Sequence, residues 1–237
     1  MQHITLKKHI LPYTVNEELK LLRTNIQFCG IDKRVILLTS AMSNEGKSTM
    51  TLYICRAFAE LGKKVLLIDA DLRKSVMKKR IIGGGITAGL SQYLAGMCGI
   101  EDIIAETDEP NLHSILAGQV SPNPSELLSG QKLQDLLNYA REKYDYVFVD
   151  CPPLGLVVDA AVVAPLCDGS ILVISAGEIH RQMAKEVVVK LQNTKCHILG
   201  VVLNKVDRSK GSKYYAKYYG RYYGKSYGEY YEYKQAD

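Results

Sequence analysis

The chain has 237 residues, 47% of them hydrophobic and 23% charged, with a formal net charge of +5. These are the proportions of an ordinary globular protein, and so modest a positive charge does not by itself point to nucleic acid. The opening stretch MQHITLKKHILPY lacks a signal-peptide apolar centre, and no apolar run approaches the roughly 18 residues of a membrane span.

In chain order, TVNEELKLLRTNIQFCG predicts a helix over residues 14–30. Thr14 or Asn16 caps it, Glu17 and Glu18 fall in its first turn, and Gly30 ends it. RVILLTS is a β-branched and leucine run that predicts a strand buried on both faces. A glycine-containing loop follows, then a helix from about Ser48 to Leu61. KKVLLID predicts a strand, LSQYLAG and IEDIIAE two short helices, and LHSILAG a strand. QKLQDLLNYAREKY predicts an amphipathic helix, DYVFVD a strand, VVDAAVVAPLC a helix and GSILVIS a strand. RQMAKEVVVKLQNT predicts the last helix and ILGVVLNKV the last strand. The alternation predicts an α/β fold with a mostly parallel, doubly wound sheet flanked by helices.

Six cysteines (Cys29, Cys55, Cys98, Cys151, Cys167 and Cys196) include no Cys-x-x-Cys pair. They read as buried reduced thiols, not as a disulfide or zinc framework. The globular pattern spans residues 1–206. Residues 207–237 contain no Val, Leu or Ile and cannot build a core, so a flexible tail is expected there.

Chemistry concentrates in AMSNEGKST, residues 41–49, between a predicted strand and a predicted helix. The form Ala/Gly-x-x-x-x-Gly-Lys-Ser is a phosphate-binding P-loop. Backbone N–H groups of Ser43, Asn44, Glu45, Gly46 and Thr49 turn toward phosphate oxygens, and the following helix presents its positive end. Gly46 permits close approach, Lys47 reaches the β- and γ-phosphates, and Ser48 can ligand Mg²⁺. Asn44 tolerates the positive φ such a turn requires. The pattern calls for ATP and Mg²⁺, and the five histidines show no metal spacing.

VLLIDADLRKS sets Asp69, Asp71 and Arg73 on one alternation, and YVFVDCPP sets Asp150 at the end of another buried strand. Ligands in open α/β sheets lie beyond the carboxyl ends of the strands, so Lys47, Asp69, Asp71 and Asp150 should converge on one phosphate and one Mg²⁺. LNKVD offers Asn204 as a contact to the nucleotide base, with guanine and adenine both open. SPNPSELLSG reads as a stiff turn with Ser125 capping the next helix, and RKSVMKKR as a solvated helix face.

The phosphate loop, the strand ending Asp-x-Asp-x-Arg, the strand ending Asp-x-Pro-Pro and the terminal tyrosines together resemble the bacterial tyrosine kinases. These are P-loop kinases, and the likeness covers nearly the whole chain. It is nearest to the stand-alone cytoplasmic form of Gram-positive bacteria, associated with capsular or exopolysaccharide synthesis. The resemblance implies that Lys47 holds phosphates, that Ser48, Asp71 and Asp150 hold Mg²⁺ and its water, and that Asp69 accepts the tyrosyl proton. Arg73 neutralises phosphate charge or fixes its loop. Glu17, Lys20 and Arg23 match a family helix that mediates ring-shaped oligomers, with Lys20 replacing an arginine and losing its bidentate fork. The implied partners are a separate membrane-spanning activator, other copies of the chain and a phosphotyrosine phosphatase, with no nucleic acid. The implied location is the cytoplasm, at the inner face of the membrane.

Ten of the sixteen tyrosines fall in the tail: Tyr214, Tyr215, Tyr218, Tyr219, Tyr222, Tyr223, Tyr227, Tyr230, Tyr231 and Tyr233. They are the expected sites of autophosphorylation in trans, interleaved with glycines and cations that keep the segment soluble. Two competing readings share the P-loop. One is a partition or cell-division type ATPase, whose members often carry a lysine early in the loop; this chain has none between Arg34 and Lys47. The other is a nucleotide-gated scaffold for polysaccharide assembly.

Overall fold

The computed structural model describes residues 2–8 and 10–206. The elements run β1 (Gln2–Leu6), α1 (Tyr13–Phe28), β2 (Val35–Ser40), α2 (Lys47–Ala59) and β3 (Val65–Asp69). A 3₁₀ turn (Met77–Arg80) leads into β4 (Ile81–Gly84), α3 (Leu90–Leu94), α4 (Ile100–Ile103), β5 (Ala105–Thr107) and β6 (Leu112–Ile115). Then come α5 (Pro124–Ser129), α6 (Gln131–Lys143), β7 (Tyr146–Asp150), α7 (Asp159–Val163), β8 (Gly169–Ser175), α8 (Arg181–Asn193) and β9 (Ile198–Asn204).

The nine strands form one sheet in the order β4-β1-β5-β6-β3-β7-β2-β8-β9. From β6 to β9 every neighbouring pair is parallel. Antiparallel pairing is confined to β1–β4 and β5–β6 at one end. The central strands are buried on both faces, which is why they are continuous apolar runs. In β2, Val35 and Leu37 join one core with Leu133, Leu136 and Leu137 of α6, whereas Ile36 and Leu38 join another with Leu52 and Phe58 of α2. Phe58 also packs its ring 5.4 Å from that of Phe148 in β7. The parallel strands between two helical layers leave their carboxyl ends free to build a site.

Several local expectations are corrected. Helix α1 starts at Tyr13, one residue after Pro12, whose φ of −54° is already suited to a helix entry. Val15 and Asn16 N–H groups both donate to the Pro12 carbonyl, so Thr14 and Asn16 lie inside the helix and cap nothing. No acid stands in its first turn; Glu17 and Glu18 come after it. IEDIIAE splits after Ile103 into α4 and the short strand β5. Pro124 opens α5, so Ser125 lies within a helix instead of capping one. RKSVMKKR is a turn and a 3₁₀ segment anchored by buried Met77, with no long helix to present a face. All six thiols are free, but Cys29 is exposed while Cys55, Cys151 and Cys196 are buried.

The chain divides into a compact unit through Asn204 and a remainder from Lys205. The expected tail, residues 207–237 with its ten tyrosines, lies outside the described residues. No described helix is long and apolar enough to cross a membrane.

Candidate active site

The phosphate loop leaves β2 at Ser40 and enters α2 at Lys47. Asn44 has a φ of 67° and Gly46 of 85°, the left-handed conformation that reverses the chain. Glu45 is 2% exposed, and its carboxylate accepts the Met42 N–H at 2.7 Å and the Ser175 N–H at 3.0 Å. It therefore ties the loop to itself and to the end of β8, using a charge that the two amides satisfy. Asn204, at the end of β9, donates from Nδ2 to the Glu45 carbonyl at 2.8 Å. A Cβ on Gly46 would lie 2.1 Å from that same Nδ2, so glycine is required for both the turn and the approach of Asn204. Ser43 and Asn44 are exposed at the loop tip.

Lys47 Nζ lies 2.5 Å from Asp150 Oδ1 and donates to Ser48 Oγ at 3.1 Å. Thr51 Oγ1 stands 3.1 Å from the same Asp150 oxygen and 3.0 Å from the Lys47 carbonyl. Asp69 and Asp150 are register partners at the carboxyl ends of adjacent β3 and β7. Burial pushes the Asp69 carboxyl up to about 7, reinforced by the Asp150 charge and opposed by the Ser75 hydroxyl and Lys47. Ser75 Oγ donates to Asp69 Oδ2, and the Asp71 N–H donates to Oδ1 at 3.2 Å. The result is a carboxyl able to exchange a proton near neutral pH beside a lysine and a second carboxylate.

The structure thus brings Lys47, Ser48, Asp69 and Asp150 together. Asp71 lies just past the strand, and its carboxylate accepts the Arg73 and Lys74 N–H groups at 3.3 and 2.9 Å. Arg73 does not follow the alternation into the site, because β3 has already ended at Asp69. Its guanidinium forks onto buried Asp159, at 2.7 and 2.9 Å, and reaches Ser125 Oγ at 2.9 Å. Of its two expected roles, the geometry is that of fixing the loop. Burial raises the Asp159 carboxyl, but the bonds from Arg73 and Ser125 outweigh it and hold the group below its ordinary value. Asn204, expected as a base contact, donates to the backbone of the phosphate loop at the Glu45 carbonyl.

On α1, Lys20 pairs with Glu17 at 2.7 Å on the surface. Arg23 donates to the Ala57 carbonyl at 2.8 Å, while its Nε is buried without a partner among the described residues. Reasoning from sequence missed Ser75, Thr51 and Asp159. The signal for Asp159 was there: a single carboxylate inside the apolar run GLVVDAAVV demands a buried partner.

The donor set suits a hard cation. The Ser48 hydroxyl and the Asp71 and Asp150 carboxylates are oxygen donors of the kind Mg²⁺ takes together with nucleotide phosphates. No group of three or more His, Cys, Asp or Glu side chains able to hold a metal occurs among the described residues.

The geometry defines a P-loop nucleotide-binding protein of the open α/β class, and the family model described as "AAA domain" matches residues 33–198. The chain is 40% identical over 188 residues to the tyrosine-protein kinase CpsD of Streptococcus agalactiae, covering 79% of this chain and 82% of that one. It superposes on the kinase domain of the Escherichia coli tyrosine kinase ETK with a TM-score of 0.78 at 29% identity, covering 86% and 90% of the two chains. The cell division ATPase MinD of Pyrococcus furiosus gives a TM-score of 0.63 at 27% identity, covering 74% and 73%. The chain belongs to the bacterial tyrosine-protein kinase family.

Proposed function

We infer that the chain transfers the γ-phosphoryl group of ATP to tyrosine hydroxyls and that its own terminal tyrosines, presented by another copy, are among the acceptors. The observation that carries this is the juxtaposition of Lys47, Asp150 and Asp69 beside the phosphate loop. Lys47 would turn from Asp150 to the phosphates when nucleotide binds, and Ser48, Asp71 and Asp150 are the residues that would hold Mg²⁺. The ion supplies charge neutralisation on the phosphate oxygens. Asp69 accepts the proton as the tyrosyl O–H bond breaks and the O–P bond forms, with the leaving ADP oxygen in line. Alignment and charge account for most of the acceleration, so a rigid loop is the right scaffold.

The same reading includes control of capsular or exopolysaccharide synthesis through a membrane-spanning activator. It also includes assembly through Glu17, Lys20 and Arg23 and reversal by a phosphatase. Phosphates on the basic tail would add about −1.5 to −2 charges each and loosen the assembly. A second reading, ATP hydrolysis to water as in a cell division ATPase, draws on the likeness to MinD.

Intact-mass spectrometry after incubation with MgATP tests the choice, with an activator peptide added if the bare chain is silent. Steps of one phosphate mapping to residues 214–233, absent from Lys47→Met and from a chain ending at Asp207, support the kinase. Free phosphate without added mass supports hydrolysis.

A further inference from the structure

We propose that Arg80 is a second cation of the nucleotide site, binding the phosphates that ADP and ATP share where they pass Thr49. The proposal rests on the nucleotide-binding reading above and adds to it a residue outside the loop motif.

Thr49 follows Lys47 and Ser48 in the first turn of α2. Arg80 Nη2 donates to Thr49 Oγ1 from 31 residues along the chain. The arginine is delivered there by fixed backbone. Met77 at the start of its 3₁₀ turn is 1% exposed, the Arg80 carbonyl accepts the Lys7 N–H at 2.7 Å, and the next residue, Ile81, is already in register with Leu6 of β1. Arg80 itself is half-buried, unlike its exposed neighbours Lys78 and Lys79.

Its electrostatic position is incomplete. Arg56, Arg73 and Arg141 each have a carboxylate partner, Glu109, Asp159 and Asp168 respectively, and Arg23 and Arg34 donate to backbone carbonyls. Among the described residues Arg80 has none within ion-pair distance, and the Thr49 hydroxyl takes only one of its five N–H donors. The first turn of α2 carries no acid either. A cation at the positive end of a helix is disfavoured unless an anion sits there too. Lys47 has its anion in Asp150; the anion suited to Arg80 is a phosphate seated on the loop's N–H groups. Residues two apart on a helix point about 200° apart, so Lys47 and Thr49 face different sides of the loop. Lys47 serves the β- and γ-phosphates. Arg80, approaching by way of Thr49, serves the phosphates nearer the ribose, which ADP retains.

Titration calorimetry of the full chain with MgADP and with MgATP decides the matter, using wild type, Arg80→Gln and Arg80→Lys. Glutamine keeps a donor for Thr49 but no charge. Arg80→Gln should weaken both nucleotides alike, by about tenfold, and flatten the salt dependence, while Arg80→Lys stays within about threefold of wild type. A ligand-free melting temperature equal to wild type separates this from a merely structural contact. Binding of Arg80→Gln within about twofold of wild type, or a loss confined to ATP, overturns the proposal. Should Arg80→Gln fail to fold, wild type labelled with phenylglyoxal and mapped by peptide gives the answer. Protection of Arg80 by MgADP supports the assignment, and equal labelling overturns it. A wild type that binds neither nucleotide would remove the nucleotide reading itself, and Arg80 with it.

Discussion

Lys47 Nζ and Asp150 Oδ1 form an ion pair 2.5 Å long whose two side chains are 7% and 1% exposed. Removing one member leaves the other charge buried without compensation, which costs about 3–5 kcal/mol. Lys47→Met should therefore abolish tyrosine phosphorylation and also lower the melting temperature of the nucleotide-free protein. Adding Asp150→Leu should restore most of that melting temperature and none of the activity. Differential scanning calorimetry and an anti-phosphotyrosine blot read the two effects separately.

Asp69 gives a stability prediction of the opposite sign. Its folded value, raised to about 7 chiefly by burial, lies above the ordinary 3.8. The stability from its protonated form is fully present below 3.8 and is lost as pH rises through 7. Asp69→Asn should stabilise the nucleotide-free protein at pH 8 by about 1–3 kcal/mol, with the gain vanishing near pH 4. Phosphotransfer should fall by about 10²–10⁴-fold, the usual contribution of a general base. Denaturant melts at the two pH values, with initial rates at pH 8, check both halves.

Arg73 and Asp159 should matter for stability more than for nucleotide affinity. Asp159→Asn is expected to cost about 1–2 kcal/mol, less than a fully buried pair because the outer side of Arg73 is exposed. The Asp159 carboxyl is held below its ordinary value. Its contribution is therefore present above the unfolded value of 3.8 and is lost as pH falls through the depressed folded value, where wild type and variant should converge. Urea melts at pH 7 and pH 3, beside an MgADP titration, test this.

Gly155 sits in the loop after the Cys-Pro-Pro segment, and a Cβ there would lie 2.0 Å from the Ala41 carbonyl at the root of the phosphate loop. Backbone must move to admit it. Gly155→Ala should lose about 1–3 kcal/mol by overpacking. It should also weaken MgADP, since the strained segment is the one that cradles phosphate. Thermal shift with and without MgADP would show a smaller ligand-induced gain than in wild type.

The sequence exposed the central architecture because β2, β3, β7 and β8 are buried on both faces and carry uninterrupted apolar runs. It hid the edge. β1 has two buried residues, Ile4 and Leu6, among five, β4 ends in two glycines, and β5 has three residues, so none carries a periodic signal of its own. In the site, Lys47 and Ser48 were legible because loop chemistry fixes their spacing, and Asp150 because it closes an uninterrupted buried strand. Arg73 was misplaced because alternation was extended past Asp69, where the strand stops. Ser75 and Asp159 act through partners distant in sequence or turned by a loop, a relationship no local pattern contains.

The pairing of β1 has a practical corollary for anyone trimming this kinase. Its five residues are hydrogen-bonded to β4 on one side and β5 on the other. A fragment begun at Tyr13, to isolate the helix and the catalytic region, would strip β4 of its neighbour and open the flank of β5. Such bared strand edges invite intermolecular sheet growth, so the shortened protein should aggregate although its entire phosphate loop is intact.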